Sequence, residues 1–265
     1  MSNHTAINTQ TDQISDHAER LIESAKKAGA IYIDALAVSN TGDSVTVRNG
    51  SVESVEREDA QGMGLRAFVE TDKGLAFATA SSSDLSESGL KQLAEQVVAM
   101  ARVSEPDPDA VPPVGATHPS SDELTAWQAR YPKQDHGWNI EAARDSALAC
   151  EDIARNYSTE ISNSEGADAS FGSSHVAYAS SDGFSAAYAK SSASLSVSVI
   201  AGSGEGMQRD YAWHRAFRAD GLKTAEEIAH EAAKRALAKL NPGSMESGKA
   251  TVLFEPRIEI GRAHV

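Results

Sequence analysis

The chain has 265 residues, which is enough for one large domain or two ordinary ones with a buried core. Hydrophobic residues make up 40% and charged residues 23%, a composition that excludes a disordered chain. The formal net charge of −14 argues against nucleic-acid binding, because phosphate contacts need clustered Lys and Arg. No stretch reaches the apolar length of a membrane span, and the polar N-terminal segment lacks the apolar core of a signal peptide. The single cysteine, Cys150, excludes an internal disulfide and fits a reducing compartment. We therefore expect a cytoplasmic protein with neither nucleic acid nor membrane as partner.

The first part of the chain predicts a helix, several strands and a second helix. Apolar residues recur at helical spacing between a cap at Thr11 or Asp12 and a C-terminal glycine, Gly29. Strand-like alternation follows, and a second helix is capped near Ser86. The predicted turns within the strand region are Thr41–Asp43, Asn49–Gly50 and Asp72–Gly74.

The proline-rich segment 105–137 predicts a linker or a crossover along the surface, and beyond it the order of elements repeats. A helix runs from near Asn139 to about Asn156, several strands follow with a hairpin turn at Asp182–Gly183, and a last helix covers Thr224 to Leu240. We predict an α+β fold of two helix–β-meander–helix units. This repetition is typical of an internal duplication, although no residue-level identity supports one.

Three stretches resemble chemical motifs without completing them. The helix that contains His230 and Glu231 lacks a second histidine one turn later, where Lys234 stands, and its apolar period explains its residues as the exposed side of an amphipathic helix. The glycines of 202–206 lie between two strands, as a hairpin loop does, rather than before a helix that would hold a phosphate.

The stretch "RDYAWHR" is the third of them. Strand alternation places Asp210 and His214 on one face, where a carboxylate can orient a general base, but no nucleophile or second metal ligand is near, and an amphipathic edge strand is the favoured interpretation. Cys150 is interpreted as a buried, inert thiol. The Ser-rich strands between residues 173 and 198 suit a sheet whose edge accepts an extended peptide. The chain offers no catalytic, cofactor-binding or metal-binding residue that we assign.

Four long stretches, in this order, carry a resemblance to a known family. They are "GMGLRAFVETDKGLAFATASSSDLS", "VVAMARVSEPDP", "SDGFSAAYAKSSASLSVSVIAGSGEGMQRDYAW" and "AAKRALAKLNPGSMESGKATVLFEPRI". The series resembles the PmbA (TldE) branch of the TldD/PmbA metalloprotease family, over nearly the whole chain up to Ile258.

The resemblance implies a role in a cytoplasmic proteolytic system. Members of the TldD type carry a His-Glu-x-x-x-His helix that binds the catalytic metal, zinc or a similar divalent ion. The PmbA type is the metal-free partner in a heterodimer that cuts unfolded or extended peptides. The label "modulator of DNA gyrase", also used in this family, describes a genetic link and requires no DNA binding.

The last residues change character abruptly. The sequencing adapter AGATCGGAAGAGCACACGTC, read in its third frame, encodes Ile-Gly-Arg-Ala-His-Val, which matches residues 260–265, and its two leading bases complete a codon for Glu259. We therefore expect 259–265 to be translated adapter and the C-terminal domain to be missing. The predicted organisation is an N-terminal α+β domain (1–104), the linker (105–137), a middle α+β domain (138–245) and the start of the truncated domain (246–258).

The predicted function is that of a PmbA-like subunit that helps to hold an extended peptide for a metal-bearing partner. Two alternatives stay open. In one, the missing domain carries the metal and the parent protein is itself a TldD-like peptidase. In the other, the parent is a peptide-binding or regulatory module without enzymatic activity.

Sequencing the source DNA past codon 258 tests this assignment. We expect a continuation that lacks the His-Glu-x-x-x-His pattern, because the approach "SGKATVLFEPRI" is of the PmbA type. That pattern soon after Ile258 would instead make the parent a catalytic metallopeptidase. Genomic DNA that encodes residues 260–265 followed by a stop codon would exclude the adapter explanation.

Overall fold

The computed structural model describes residues 2–118, 120, 122–123, 126 and 136–255, with the backbone alone for 2–9. The predicted adapter residues 259–265 and the last residues of the predicted domain start, 256–258, lie outside this range. None of the described helices combines the length and apolarity needed to cross a membrane. The elements are α1 Ser2–Ala28, β1 Tyr32–Arg48, β2 Ser51–Thr71, β3 Gly74–Ser82, α2 Glu87–Val103, α3 Ile140–Arg155, β4 Ile161–Ser180, β5 Ser185–Ala201, β6 Gln208–Ala216 and α4 Ala225–Ala238.

The fold is α+β, as the sequence predicts, and the strands of both units join in one six-stranded antiparallel sheet of order β3-β2-β1-β4-β5-β6. The junction is the pairing of β1 with β4, which runs from Asp34 opposite Ser180 to Val47 opposite Ala167. Each unit is a helix, a three-stranded meander and a helix, so the strand order reads the same outward from the junction in both directions. This shared sheet was not predicted from the sequence.

All four helices named above pack on the same face of the sheet, in two pairs. In β1, Ile33, Ala35 and Ala37 belong to the core under α1 and α2, whereas Val45 and Val47 belong to the core under α3 and α4. Alternate residues of a strand point to the same side, so these five residues share one face. The two helical pairs therefore cover opposite ends of the long central strands.

Helix α1 extends beyond its own unit and contacts the other one. Thr11 Oγ1 lies 2.8 Å from Nδ1 of the buried His175 on β4, and Ser185 at the start of β5 donates a hydrogen bond to Glu19. Burial lowers the pKa of His175, which favours the neutral imidazole, and the Thr11 hydroxyl can donate to Nδ1 or accept from it according to the tautomer. The first helix thus anchors unit one on the sheet of unit two.

A buried carboxylate makes the reciprocal connection. Glu151 of α3 is fully buried and accepts hydrogen bonds from the backbone N–H groups of Asn49 and Gly50, at 2.8 and 2.9 Å, in the β1–β2 turn. Burial alone would raise the pKa of Glu151, but the hydrogen bonds from Gly50, Ser164 and Asn49 outweigh it and lower that pKa below the ordinary value. The turn of unit one is therefore fixed on the helix of unit two.

The predicted caps and hairpin turns are largely confirmed. Gly29 ends α1 with a φ of 105°, and Ser86 caps α2 by accepting from Gly89 N–H. Asn139 and Thr224 cap α3 and α4, the latter in a capping box with Glu227. The turns at Asn49–Gly50, Asp72–Lys73 and Asp182–Gly183 join consecutive strands.

Two predictions at the start of the chain are wrong. Helix α1 begins at Ser2, so Thr11 and Asp12 lie inside it. The stretch Thr41–Asp43 is no turn, because β1 continues through it and Gly42 pairs with Gly172 of β4. A Cβ added at Gly172 would lie 2.4 Å from the carbonyl oxygen of Thr41. Gly172 therefore allows the backbones of β1 and β4 to approach each other, and the chain does not reverse direction at Gly42.

The linker follows one end of the sheet over its described part. Lys73 pairs with Glu105, and Gly115 N–H donates to Asp182 at 2.8 Å. The ring of His118 stacks on Phe184, with centroids 4.8 Å apart. These contacts hold residues 105–118 against the β2–β3 and β4–β5 turns.

Replacing Glu151 with Gln should destabilise the fold by about 1–3 kcal/mol, because an amide group would face a backbone N–H donor in a buried site. The pKa of Glu151 is lowered in the folded state, so its stabilisation is present above the unfolded value of about 4.3 and disappears as pH falls through the folded pKa. Urea unfolding at neutral and acidic pH measures this difference.

The control is Glu141→Gln on the exposed surface of the same helix, with an expected effect below about 0.5 kcal/mol. Equal stability of the Glu151→Gln variant and the parent at neutral pH would contradict the connecting role of this carboxylate.

Candidate functional site

The candidate site is the face of the sheet opposite the four helices, which we call the open face. It carries the even-numbered residues of β1, β2, β4 and β5 and the odd-numbered residues of β3 and β6, apart from local register shifts. Serines at 192, 194, 196 and 198 follow β5 along this face. The Ser-rich strands were expected to belong to a sheet whose edge accepts a peptide; in the structure β4 and β5 are interior strands, and the serines of β5 lie on the open face.

Large apolar side chains stand exposed on the open face, at the central strand β1 and at the edge strand β6. Leu36 of β1 is 45% exposed, and Tyr211 and Trp213 of β6 are 51% and 50% exposed. Arg209 and Arg215 flank the two aromatic residues, and each has a partner, since Arg209 pairs with Glu165 and Arg215 donates to Ser192. This face thus offers aromatic contact area and hydroxyl groups together.

The open face has shallow depressions at its centre and on its β2 side. The central one, about 360 Å³, lies over Gly42 and Gly172 and reaches Glu56, Glu58 and Arg215. Two neighbouring depressions, of about 470 and 410 Å³, lie over Gly62 and Gly64 of β2. All of them are open to solvent, a shape that suits an extended chain better than a compact ligand.

An ion pair on the open face was missed in the sequence. Arg66 donates from Nε and Nη2 to the two oxygens of Asp34, at 2.8 and 3.0 Å, and the Tyr178 hydroxyl donates to Asp34 at 3.3 Å. The hydrogen bond to Asp34 raises the pKa of Arg66, and burial followed by the Asp34 charge raises that of Tyr178. The three residues meet only through the β1–β2 and β1–β4 registers, which no local signal gives.

The structure separates Asp210 from His214. Asp210 binds Lys239 at 2.9 Å and accepts from the N–H of Tyr211, whereas Nδ1 of His214 accepts from the N–H of Lys223 at 3.1 Å. Neither residue orients the other as a general base would require. The interpretation of this stretch as an amphipathic edge strand agrees with the buried Ala212 and with the position of β6 at the end of the strand order.

Lys239 also occupies a backbone hydrogen-bond acceptor at the start of the β6 edge. Its Nζ donates to the carbonyl oxygen of Arg209 at 3.0 Å, next to the Tyr211 N–H that Asp210 occupies. Burial raises the pKa of Asp210, but the bonds from Lys239 and Tyr211 outweigh it, so the pKa is lowered and the carboxylate stays charged. Backbone groups at this end of β6 are therefore unavailable to an added strand.

The remaining motifs have structural roles. Gly202–Gly206 forms a loop with a short 3₁₀ turn between β5 and β6, and no helix opens there. His230 lies on the outer side of α4 beside Tyr157, while Ile228 and Ala232 are buried. Among the described residues, no three His, Cys, Asp or Glu side chains come together as metal ligands, so we derive no metal-dependent step for them.

The fold defines a class of protein in which an antiparallel sheet, backed by helices on one side, presents a broad polar face on the other. Residues 33–101 match the family description "PmbA/TldA metallopeptidase domain 1", and residues 135–240 match "PmbA/TldA metallopeptidase central domain". The chain belongs to the TldD/PmbA family.

Similar proteins extend well beyond this chain. It is 32% identical to Metalloprotease PmbA of Escherichia coli O157:H7, over 85% of this chain and 48% of that protein. It is 29% identical to the Metalloprotease PmbA homolog of Haemophilus influenzae, over 95% of this chain and 54% of that protein. The chain therefore spans about half the length of the curated relatives it matches.

Solved structures share the fold. A Bacteroides thetaiotaomicron protein, described as a candidate modulator of DNA gyrase, superposes with a TM-score of 0.71 at 20% identity, over 89% of this chain and 52% of that one. TldE from Thermococcus kodakarensis superposes with a TM-score of 0.61 at 14% identity, over 83% of this chain and 47% of that one.

Cys150 should be inert in the folded protein. Burial, followed by the negative charge of Glu151, raises the pKa of this thiol to about 12, and the side chain is fully buried in α3. We expect iodoacetamide at mildly alkaline pH to leave Cys150 unmodified in the native state and to alkylate it in denaturant, as measured by mass spectrometry. Rapid alkylation of the native protein would show that this core opens readily.

Proposed function

We propose that this chain is the sheet-bearing part of a PmbA-like subunit, which pairs with a separate TldD-like subunit in a cytoplasmic heterodimeric peptidase. In this proposal the partner holds zinc or a similar divalent ion and hydrolyses the peptide with a metal-activated water. The chain described here holds the substrate. Unfolded or extended peptides are the proposed substrate class.

The observation that carries this proposal is the open face itself. It spans six strands, none of the four helices covers it, and it combines exposed aromatic residues, a line of serines and glycine-floored depressions. An extended peptide needs hydrogen-bonding groups along its length and shallow positions for alternate side chains. The β6 edge supplies fewer of these, because Lys239 and Asp210 occupy its start.

A second candidate function follows from the names of the relatives. Both are called metalloproteases as single proteins, and each is about twice as long as the match. In this alternative the full-length parent holds the metal and hydrolyses peptides without a second subunit.

The test is to purify the full-length parent alone, and together with the TldD-like protein of its own organism. Each sample is supplied with zinc, and oxidised insulin B chain serves as an unfolded substrate. We expect co-purification of the two proteins and hydrolysis by the pair only. The control is a pair whose TldD-like subunit has Gln in place of the glutamate of its metal motif, and it should bind but not hydrolyse.

The other outcomes distinguish the heterodimer from a single-protein peptidase and from a binding or regulatory module. Hydrolysis by the parent alone, abolished by a chelator, would establish the single-protein alternative. Failure of the two proteins to associate, with no hydrolysis in any sample, would overturn the heterodimer and favour a binding or regulatory module.

A further inference from the structure

One groove on the open face combines shape, exposed apolar surface and a fixed charged group. It measures about 470 Å³ and lies above Gly64, between Leu36 of β1 and Ser81 of β3, with Asp34, Arg66 and Tyr178 at one end. A neighbouring depression of about 410 Å³ shares Leu36, Gly64 and Ser81 and extends the groove over Gly62. Together they form a trough along β2.

The backbone does not require the glycines that floor this groove. Neither Gly62 nor Gly64 has a positive φ. A Cβ at Gly64 would have no neighbour within 4 Å, and one at Gly62 would have only the Ser82 carbonyl oxygen at 3.4 Å. Glycine inside a strand costs stability, and such positions often mark the close approach of a ligand or another backbone. Gly172 differs from these two glycines, because a side chain at that position would collide with the carbonyl oxygen of Thr41.

Arg66 presents a donor group at the end of the groove. Its Nε and Nη2 are bound to Asp34, its guanidinium lies 5.3 Å from the Phe68 ring centroid, and no partner for Nη1 is found among the described residues. The side chain remains 35% exposed. Because Asp34 neutralises the charge, the free N–H groups favour an uncharged acceptor, such as a peptide carbonyl, over a phosphate or another anion.

We propose that this groove is a binding site for an extended peptide, which places one apolar side chain above Gly64, against Leu36, and a backbone carbonyl on Nη1 of Arg66. The inference rests on the proposed function, since it specifies where on the open face the peptide lies. The expected ligand is a segment with alternating apolar residues and no charge at the bound position.

Gly64→Leu tests the proposal in the full-length protein, because the new side chain fills the groove without a steric conflict at Cβ. The probe is a fluorescein-labelled peptide of alternating Leu and Ser residues, and binding is followed by fluorescence anisotropy. We expect at least about tenfold weaker binding. The melting temperature should not fall, because the variant removes a strand glycine. Gln92→Leu is the matched control, since it adds the same side chain to the exposed surface of α2, on the helical side of the sheet, and its binding should stay unchanged.

A second measurement locates the peptide directly. The same probe with photo-leucine in place of Leu should cross-link to Leu36 or Ser81 on irradiation, as mapped by mass spectrometry. Cross-links confined to β6, or equal binding by the Gly64→Leu variant and the parent, would overturn the proposal that the groove binds peptide. Neither result would contradict the proposed heterodimeric peptidase. Absence of probe binding to a parent whose complex hydrolyses insulin B chain would also overturn the groove. Absence of both binding and hydrolysis would overturn the proposed function as well.

Discussion

The pairing of β1 with β4 is the constraint on which the rest of the structure depends. It joins the two meanders into one sheet, from Asp34 opposite Ser180 to Val47 opposite Ala167. Gly172 makes this pairing possible at its middle, where no side chain fits against Thr41. The contacts between units follow from it, because α1 reaches His175 and Glu151 reaches the Asn49–Gly50 turn only when the two sheets are continuous.

Local signals predicted the helices and most turns because a cap or a tight turn is determined by a few neighbouring residues. Thr224 with Glu227 is one example, and Asn49–Gly50 is another. The turn predicted at Thr41–Asp43 was wrong because a glycine beside polar residues is typical of a turn. Here Gly42 lies inside a strand and pairs with Gly172 of β4, 130 residues later in the sequence. The sequence contains no local record of such a pairing, so the shared sheet was not predictable from it.

The same difference between local signals and long-range strand pairing applies to the candidate site. The candidate motifs at His230 and at Asp210 with His214 were identified from residue type alone. In the structure these three residues contact Glu226, Lys239 and the N–H of Lys223, respectively, and do not form a common site. The open face depends on alternation and register over six strands, and the ion pair of Asp34 with Arg66 depends on the pairing of β1 with β2. One signal was present in the sequence: two glycines, Gly62 and Gly64, interrupt a strand pattern that has no need of a turn.

The symmetric strand order explains how the long central strands avoid an exposed edge. A single helix–meander–helix unit would leave β1 as a long edge strand, with its backbone groups exposed from Asp34 to Val47. Pairing that strand with the same strand of a second molecule, across a two-fold axis, would satisfy these backbone groups. In the present chain β4 takes that place, so the edge of β1 is covered within one molecule. The two halves nevertheless differ on the open face, where β2 carries the glycines Gly62 and Gly64 and β5 carries a line of serines.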